Sequence, residues 1–443
     1  MRLIRSLYVQ ERVYWLLAIL AVLYLFSFWY PLLFTAASVL GVLAIFMALV
    51  DLVFIYRPDQ PLKASRRLPD KFSNSDLNTV ELIFNSTYGK SISLELIDEI
   101  PVQFQKRDFM ETLHLTAGET KRFSYALRPL ERGAYVFGHL NVYAYRSNGL
   151  FKRRFKFMND QMVKVYPSFI QMKKYAFLAL DQKLTLPGMK RIRRIGHTME
   201  FEQIKEYIPG DDVRTINWKA TAKSAKLMVN QFQDERSQPI YSIIDAGRVM
   251  KMPFQGLTLL DYAINSTLAF SNVALKKNDK VGLVTFANTL INHLPASKKK
   301  SHLSTLLEVL YNINTGFLDS DFSGLFAHLK RKVPNRSLLM LYTNFEHMSA
   351  LERQLPFFQR LAKKHLLVVI FFQNTELDAL LKEPAKDLVS VYQHTIAAKF
   401  EYEKRLMVKA LEKHGIQTIL TKPEDLSVKT INKYLEIKAR GLL

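Results

Sequence analysis

Between Val13 and Tyr56 the chain carries a single charged side chain, Asp51. A helix needs about 20 apolar residues to cross the hydrocarbon core of a bilayer. The stretch holds two segments close to that length, Val13–Trp29 and Leu32–Val50. Pro31 and the Phe28-Trp29-Tyr30 cluster separate them. Proline interrupts a helix, and Trp and Tyr favour the lipid–water interface. The pattern predicts a transmembrane helical hairpin with its turn near residues 28–31. It is too long for a cleaved signal peptide, and no small-residue cleavage site divides it. Both flanks are basic: Arg2, Arg5 and Arg12 against Glu11 before the hairpin, and Arg57, Lys63, Arg66 and Arg67 against Asp59 after it. Lys and Arg near membrane ends stay in the cytoplasm, so the rest of the chain is expected to face the cytosol. The absence of cysteine agrees, since nothing builds an extracellular disulfide framework.

The formal charge is +22, from 62 Lys and Arg against 40 Asp and Glu. Such an excess suits anionic lipid headgroups or nucleic acid. The clusters Lys152-Arg153-Arg154, Lys190-Arg191, Lys298-Lys299-Lys300 and Lys330-Arg331-Lys332 are scattered, with no nucleic-acid-binding motif around them. A chain already tethered to a bilayer favours the lipid reading, so nucleic acid is the weaker expectation.

Residues 62–166 read as short strands. Ser91–Leu96 alternates with period 2, and runs at 79–84, 123–127, 135–137 and 140–145 follow the same style, separated by turns at Gly89, Gly118, Gly133 and Gly149. This spacing predicts a small β-sandwich-like domain. Tyr88-Gly89-Lys90-Ser91 ends like a phosphate-binding loop, but Phe84 stands where that loop needs glycine. From residue 239 the rhythm becomes strand–helix alternation. Ile240–Asp245, Val281–Phe286, Leu338–Tyr342, Leu366–Phe372 and Ile416–Leu420 are apolar strands with helical segments between them. Strands without a polar face imply a parallel sheet covered on both sides, that is, a doubly wound α/β (Rossmann-like) domain. Such sheets bind partners at the carboxyl ends of their strands. The expected organisation is a hairpin over 1–57, a β domain over 62–166, a connecting segment over 167–238 and the α/β domain over 239–443.

The connecting segment carries the block Glu206-Tyr207-Ile208-Pro209-Gly210-Asp211-Asp212-Val213-Arg214-Thr215-Ile216-Asn217-Trp218-Lys219-Ala220. Pro209-Gly210 suits a type II turn, and Asp211 or Asp212 can cap the short helix that follows. Arg214 and Trp218 are one helical turn apart, which predicts a shared face. This block, with Phe201-Glu202, Val229-Asn230-Gln231-Phe232, Glu235-Arg236, Val165-Tyr166-Pro167 and Arg132-Gly133-Ala134-Tyr135, resembles the signature of the bacterial domain of unknown function 58 family. The resemblance covers roughly residues 10–350. It implies a membrane hairpin in the bacterial inner membrane, a β-sandwich-like segment and a von Willebrand factor A-like domain. It also implies a MoxR-type AAA+ ATPase as partner, while the family's molecular activity is not established. The block itself reads either as a brace in which Glu206, Asp211, Asp212, Arg214 and Lys219 neutralise one another, or as a partner-contact surface built on Tyr207, Pro209, Gly210, Asp211, Asp212, Arg214 and Trp218.

A von Willebrand factor A domain usually holds a divalent cation through an Asp-x-Ser-x-Ser pattern, a Thr and a second Asp. Here the first strand ends Asp245-Ala246-Gly247-Arg248-Val249, so Gly247 and Val249 replace both serines. Ser320, beside Asp321, stands for the threonine, and Asn344 for the last aspartate. Arg248 adds a fixed positive charge beside Asp245, which makes it one available partner for that carboxylate. Hard cations need a full set of oxygen ligands, so Mg²⁺ is not expected. Were a metal present, Asp245, Ser320, Asp321 and Asn344 would hold it. No His-Glu-x-x-His, Gly-x-Ser-x-Gly or Gly-x-Gly-x-x-Gly motif occurs at a fitting place. The leading expectation is a membrane-anchored, cytosol-facing binding or scaffold protein without catalytic residues or cofactor. A metal-dependent enzyme using Asp245 with Asp211 or Asp212, and a nucleic-acid binder, are the alternatives.

Overall fold

A computed structural model describes residues 6–57, 61–158, 160–173, 200–209, 211–233, 239–385 and 387–442. The chain divides into two compact units, Met1–Tyr166 and Pro167–Leu443.

The apolar stretch of the first unit forms helices Glu11–Phe26 and Pro31–Tyr56, packed together across the turn at residues 27–30. Pro31 opens the second helix, where its missing N–H costs nothing. Among the described residues only Pro31–Tyr56 is long and apolar enough to cross a membrane. Glu11–Phe26 has 16 residues, short of the usual requirement. Apolar side chains such as Trp15, Leu17, Ile19, Phe34, Leu43 and Phe46 are exposed on the pair. No residue of the first helix is buried, and only Ala37, Asp51 and Ile55 of the second are.

The β part of this unit comprises one five-stranded and two three-stranded sheets. Their alternating strands meet in one core, where Val80, Leu82, Leu94, Leu96, Phe137, Val142 and Val165 are buried. One strand lies outside the expected domain. Leu7–Val9, before the helical pair, pairs antiparallel with Phe151–Arg153. The other end of the pair is tied to the same place. Asp51 Oδ2 accepts from the backbone N–H groups of Leu150 at 2.7 Å and Phe151 at 2.9 Å. Arg153 donates to the Ile55 carbonyl at 2.9 Å. A Cβ at Gly149 would lie 2.8 Å from Asp51 Oδ1, so the close approach requires glycine. The lone charge of the apolar stretch therefore serves as a clasp: its chain neighbours are apolar, but it lies at the base of the helix against the sheet.

The second unit is built on a six-stranded sheet: β1 (Pro239–Asp245), β2 (Lys280–Phe286), β3 (Leu290–Ser297), β4 (Leu338–Tyr342), β5 (Leu366–Phe372) and β6 (Gln417–Thr421). The spatial order is 3-2-1-4-5-6, with every neighbour parallel except β3, which runs antiparallel to β2. The helices are α1 (Leu259–Lys276), α2 (His302–Tyr311), α3 (Phe322–Lys332), α4 (Met348–Lys364), α5 (Thr375–Lys382), α6 (Leu388–Lys413) and α7 (Leu426–Ala439). Two buried clusters cover the faces of the sheet. Ile240, Ile244, Met340 and Ile370 pack with α1 and α7, while Ile243, Leu341, Val369 and Phe371 pack with α3, α4 and α6. Successive strand residues point to opposite faces, so strands covered on both sides need the unbroken apolar runs seen in the sequence. Chain order reverses between β1 and β4, and at such a switch point the strand ends leave a crevice.

Candidate functional site

The switch point holds a buried cluster around Asp245, the last residue of β1. Its carboxylate accepts three hydrogen bonds. Oδ1 takes the Ser320 hydroxyl and the Gly247 N–H, the latter at 2.8 Å, and Oδ2 takes the Thr343 hydroxyl at 2.7 Å. The loop that supplies Ser320 is stitched across the strand ends by backbone bonds. Gly316 donates to the Ala246 carbonyl at 3.2 Å, Arg248 to Leu318 at 3.1 Å and Asp321 to Ala287 at 2.8 Å. Burial pushes the Asp245 carboxyl above the usual range, against the pull of its three donors.

Ser320 thus reaches Asp245, while Arg248, Asn344 and Asp321 are engaged elsewhere. Arg248 does not pair with Asp245. It lies exposed and meets Asp319 at 3.3 Å, because its long side chain stays hydrated where a buried Asp offers no open path. Asn344 does not join the cluster, since its Oδ1 accepts from Lys404 Nζ at 2.5 Å. Asp321 does not point a free carboxylate at Asp245. Its Oδ1 accepts from the Ser323 hydroxyl at 2.7 Å and the Ser323 N–H at 3.0 Å, capping α3. The Ser323 hydroxyl bond draws the Asp321 carboxyl below its usual range.

Gly247 and Val249 have physical reasons to lack hydroxyls here. A Cβ at Gly247 would lie 2.0 Å from the Ser320 Oγ, so a side chain there would displace that hydroxyl. Val249 packs against the hydrophobic core. Thr343 was the residue that sequence reasoning passed over: its position directly after a fully apolar strand was the available signal. Lys404 gave none, being far along the chain.

The signature block lies in a different setting. Strands Glu200–Glu206 and Met228–Gln233 pair with each other in a two-stranded sheet of their own. Between them come a 3-10 turn, Val213–Thr215, and a short helix, Trp218–Ser224. Asp212 accepts from the Arg214 N–H at 2.9 Å and caps the turn, and Asn217 caps the helix through the Ala220 N–H at 3.0 Å. Gly210 lies outside the described residues. Two expectations fail here. Ile216 and Asn217 are extended, so Arg214 and Trp218 do not share one helix face. Nor do the five charged residues form one mutual network. Asp211 pairs with Lys205 at 2.8 Å and Glu206 with Lys226 at 3.1 Å. Around these pairs Ile208, Val213 and Trp218 are 60%, 63% and 71% exposed, and Tyr207 and Pro209 are half-exposed to exposed.

A sequence profile described as "Protein of unknown function DUF58" matches residues 203–402. "Uncharacterized protein YeaD" of Bacillus subtilis (strain 168) is 25% identical over 187 residues, which is 42% of this chain and 44% of that protein. The match therefore spans less than half the length of that relative. Among solved structures, "conserved hypothetical protein BatB from Bacteroides thetaiotaomicron" aligns with 14% identity over 46% of this chain and 99% of its own, with a TM-score of 0.31. A CARDB domain from Pyrococcus furiosus aligns with 16% identity over 24% of this chain and 94% of its own, with a TM-score of 0.18.

Proposed function

We propose that the protein is a membrane-anchored docking protein of the domain of unknown function 58 type, facing the cytosol and binding a MoxR-type AAA+ ATPase through its signature block. The observation that carries this reading is the apolar exposure of the block: Trp218, Val213 and Ile208 stand in water between satisfied ion pairs. Exposed aromatic residues ringed by polar groups are what interface anchors look like.

The helical pair supplies the anchor. Both of its ends are tied to the sheet around Phe151, so the chain on either side of it lies on one side of the bilayer. The second helix has 26 residues, about 39 Å at 1.5 Å per residue. Its last turns are held by Asp51 and Ile55, leaving roughly the 30 Å of a hydrocarbon core for lipid. The shorter first helix returns alongside it, completing a two-span hairpin whose tip is Phe28-Trp29-Tyr30. Arg12, Arg146 and Arg153 stand at its base, where Arg12 donates to Ser147 and Arg153 covers the Tyr56 ring. Basic residues at that level favour the cytoplasmic leaflet.

The α/β unit is read as von Willebrand factor A-like, with strand tips that do not use a divalent cation. One carboxylate and two hydroxyls face one another there, and both hydroxyls are spent on Asp245. A hard cation asks for six or more oxygens. No catalytic step is assigned to Asp245, Asp211 or Asp212.

The test is binding of a purified MoxR-type ATPase to the full chain in lipid nanodiscs. Trp218→Ala is expected to weaken binding at least tenfold, with thermal stability unchanged. Equal affinity of wild type and variant, or no binding by either, would remove the proposal.

A further inference from the structure

The chain between β5 and β6 folds into α5 and α6, and these helices close a cavity of about 420 Å³ over the carboxyl ends of β4, β5 and β6. Its walls are mainly apolar, formed by Met252, Phe254, Leu259, Phe372, Leu377 and Leu420. One ammonium enters among them. Lys404 Nζ donates to the Asn344 amide oxygen and to the Phe345 carbonyl, both at 2.5 Å and both neutral.

Three carboxylates, Glu346, Asp378 and Glu401, share the cavity lining with Lys404 and Arg405, and none of them meets the Lys404 ammonium at contact distance. Glu401 pairs with Arg405, Asp378 accepts from Gln373 at 2.9 Å, and Glu403 meets His347 at 3.7 Å. Glu346 attracts the ammonium but is exposed to water. Among the described residues, then, Lys404 has hydrogen bonds without a counter-charge at contact distance. Withdrawing an ammonium from water without a paired anion is unfavourable. The consequence is visible in the amine itself, which desolvation pushes down to about 8. A cleft of this volume, with much apolar wall and a few placed polar and charged groups, is the ordinary form of a small-molecule site.

We propose that this cavity binds an organic carboxylate with an apolar body, its carboxylate accepting from Lys404 and its tail packing against Phe372, Leu377 and Leu420. The site is independent of the signature block, so either assignment can fail alone.

Calorimetric titration of the full chain in nanodiscs tests it. Hexanoate is the probe and hexanol the uncharged control. Trileucine with a free or amidated carboxyl terminus separates a free acid from a chain end. Saturable binding of hexanoate or of free trileucine is expected, at least tenfold tighter than hexanol or the amide. Lys404→Met should abolish it, and so should Leu377→Trp, which fills the cavity, while Lys404→Arg should retain part. Binding of the charged probe that survives Lys404→Met, binding equal to the uncharged control, or failure of both carboxylates at millimolar concentration would overturn the assignment.

Discussion

Asp98 in the β unit and Asp245 in the α/β unit are both withdrawn from water, yet they are held in opposite ways. Asp98 faces a charge. The Arg66 guanidinium lies 2.6 Å away and the Tyr125 hydroxyl donates at 2.5 Å, with both ionic side chains wholly buried. The donors to Asp245 among the described residues are neutral: two hydroxyls and one N–H. Burial pushes both carboxyls upward, so burial alone does not distinguish them. The partners do. Asp98 must stay ionised to balance Arg66, whose remaining guanidinium nitrogens find no acceptor among the described residues and rest against the Phe137 ring. Asp245 can take up a proton without stranding an opposite charge. One carboxylate is a structural rivet of the β core, and the other is a strand-tip group whose charge is optional.

The largest effect should come from breaking the charged pair. Asp98→Asn leaves Arg66 buried without its counter-ion and is expected to lose about 3–5 kcal/mol, read by thermal unfolding of the full chain in detergent. A loss below 1 kcal/mol would show that Arg66 finds water and that the contrast with Asp245 is false.

Lys404 sharpens the contrast from the basic side. Its folded pKa of about 8 lies below the unfolded value of about 10.4. Between these values the unfolded chain binds more protons, so stability rises with pH through that window and its penalty is fully present below it. The rise should approach about 2 kcal/mol once water reaching the part-exposed stem is allowed for. Lys404→Met should flatten the pH 8–10 profile, and an unchanged profile would refute it.

The clasp at Asp51 comes next. Asp51→Ala leaves the N–H groups of Leu150 and Phe151 without their acceptor, costing about 1–2 kcal/mol. Hydrogen exchange at those two amides should quicken while the α/β unit is unaffected.

Asp245→Asn should cost least, under about 1 kcal/mol. An amide oxygen still accepts from Ser320 and Gly247, and its NH₂ can donate to the Thr343 hydroxyl. The sign of the pH dependence tests the same point. A carboxyl raised in the folded state contributes stability that is present at low pH and lost as pH climbs from the unfolded value near 4 through the folded one. That decline should vanish in Asp245→Asn. A cost comparable with Asp98→Asn would erase the distinction between the two carboxylates.

Much of the fold was legible because it is written in local pattern. The apolar run from Val13, the turn at Pro31 and the strand ending at Asp245 correspond to elements found within a few residues of their expected bounds. Strand Leu7–Val9, edge strand β3 and helix α5 were not legible. The first two are short or half-polar and become strands only because a neighbour offers a hydrogen-bonding edge. At the strand tips, Asp245, Gly247 and Ser320 were identified together and do meet. Arg248 and Asn344 were assigned by position to a site that their side chains leave. Arg248 goes to solvent and Asp319, and Asn344 goes to Lys404. In the signature block the turn cap at Asp212 followed from residue type, but the pairing of Asp211 with Lys205 depends on how two strands return beside each other.

By itself, then, the amino-acid order determined the class of each segment: which stretch lipid could accept and which runs must lie inside a covered sheet. Those properties depend on neighbours a few positions apart. Only the tertiary structure decided that Thr343 and Ser320 close on Asp245, that Asp51 clasps a loop at residues 149–151, and that the ammonium of α6 enters an apolar cavity. Each of those meetings joins residues at least 60 positions apart. Strand order and helix placement set such distances, and no local preference encodes them.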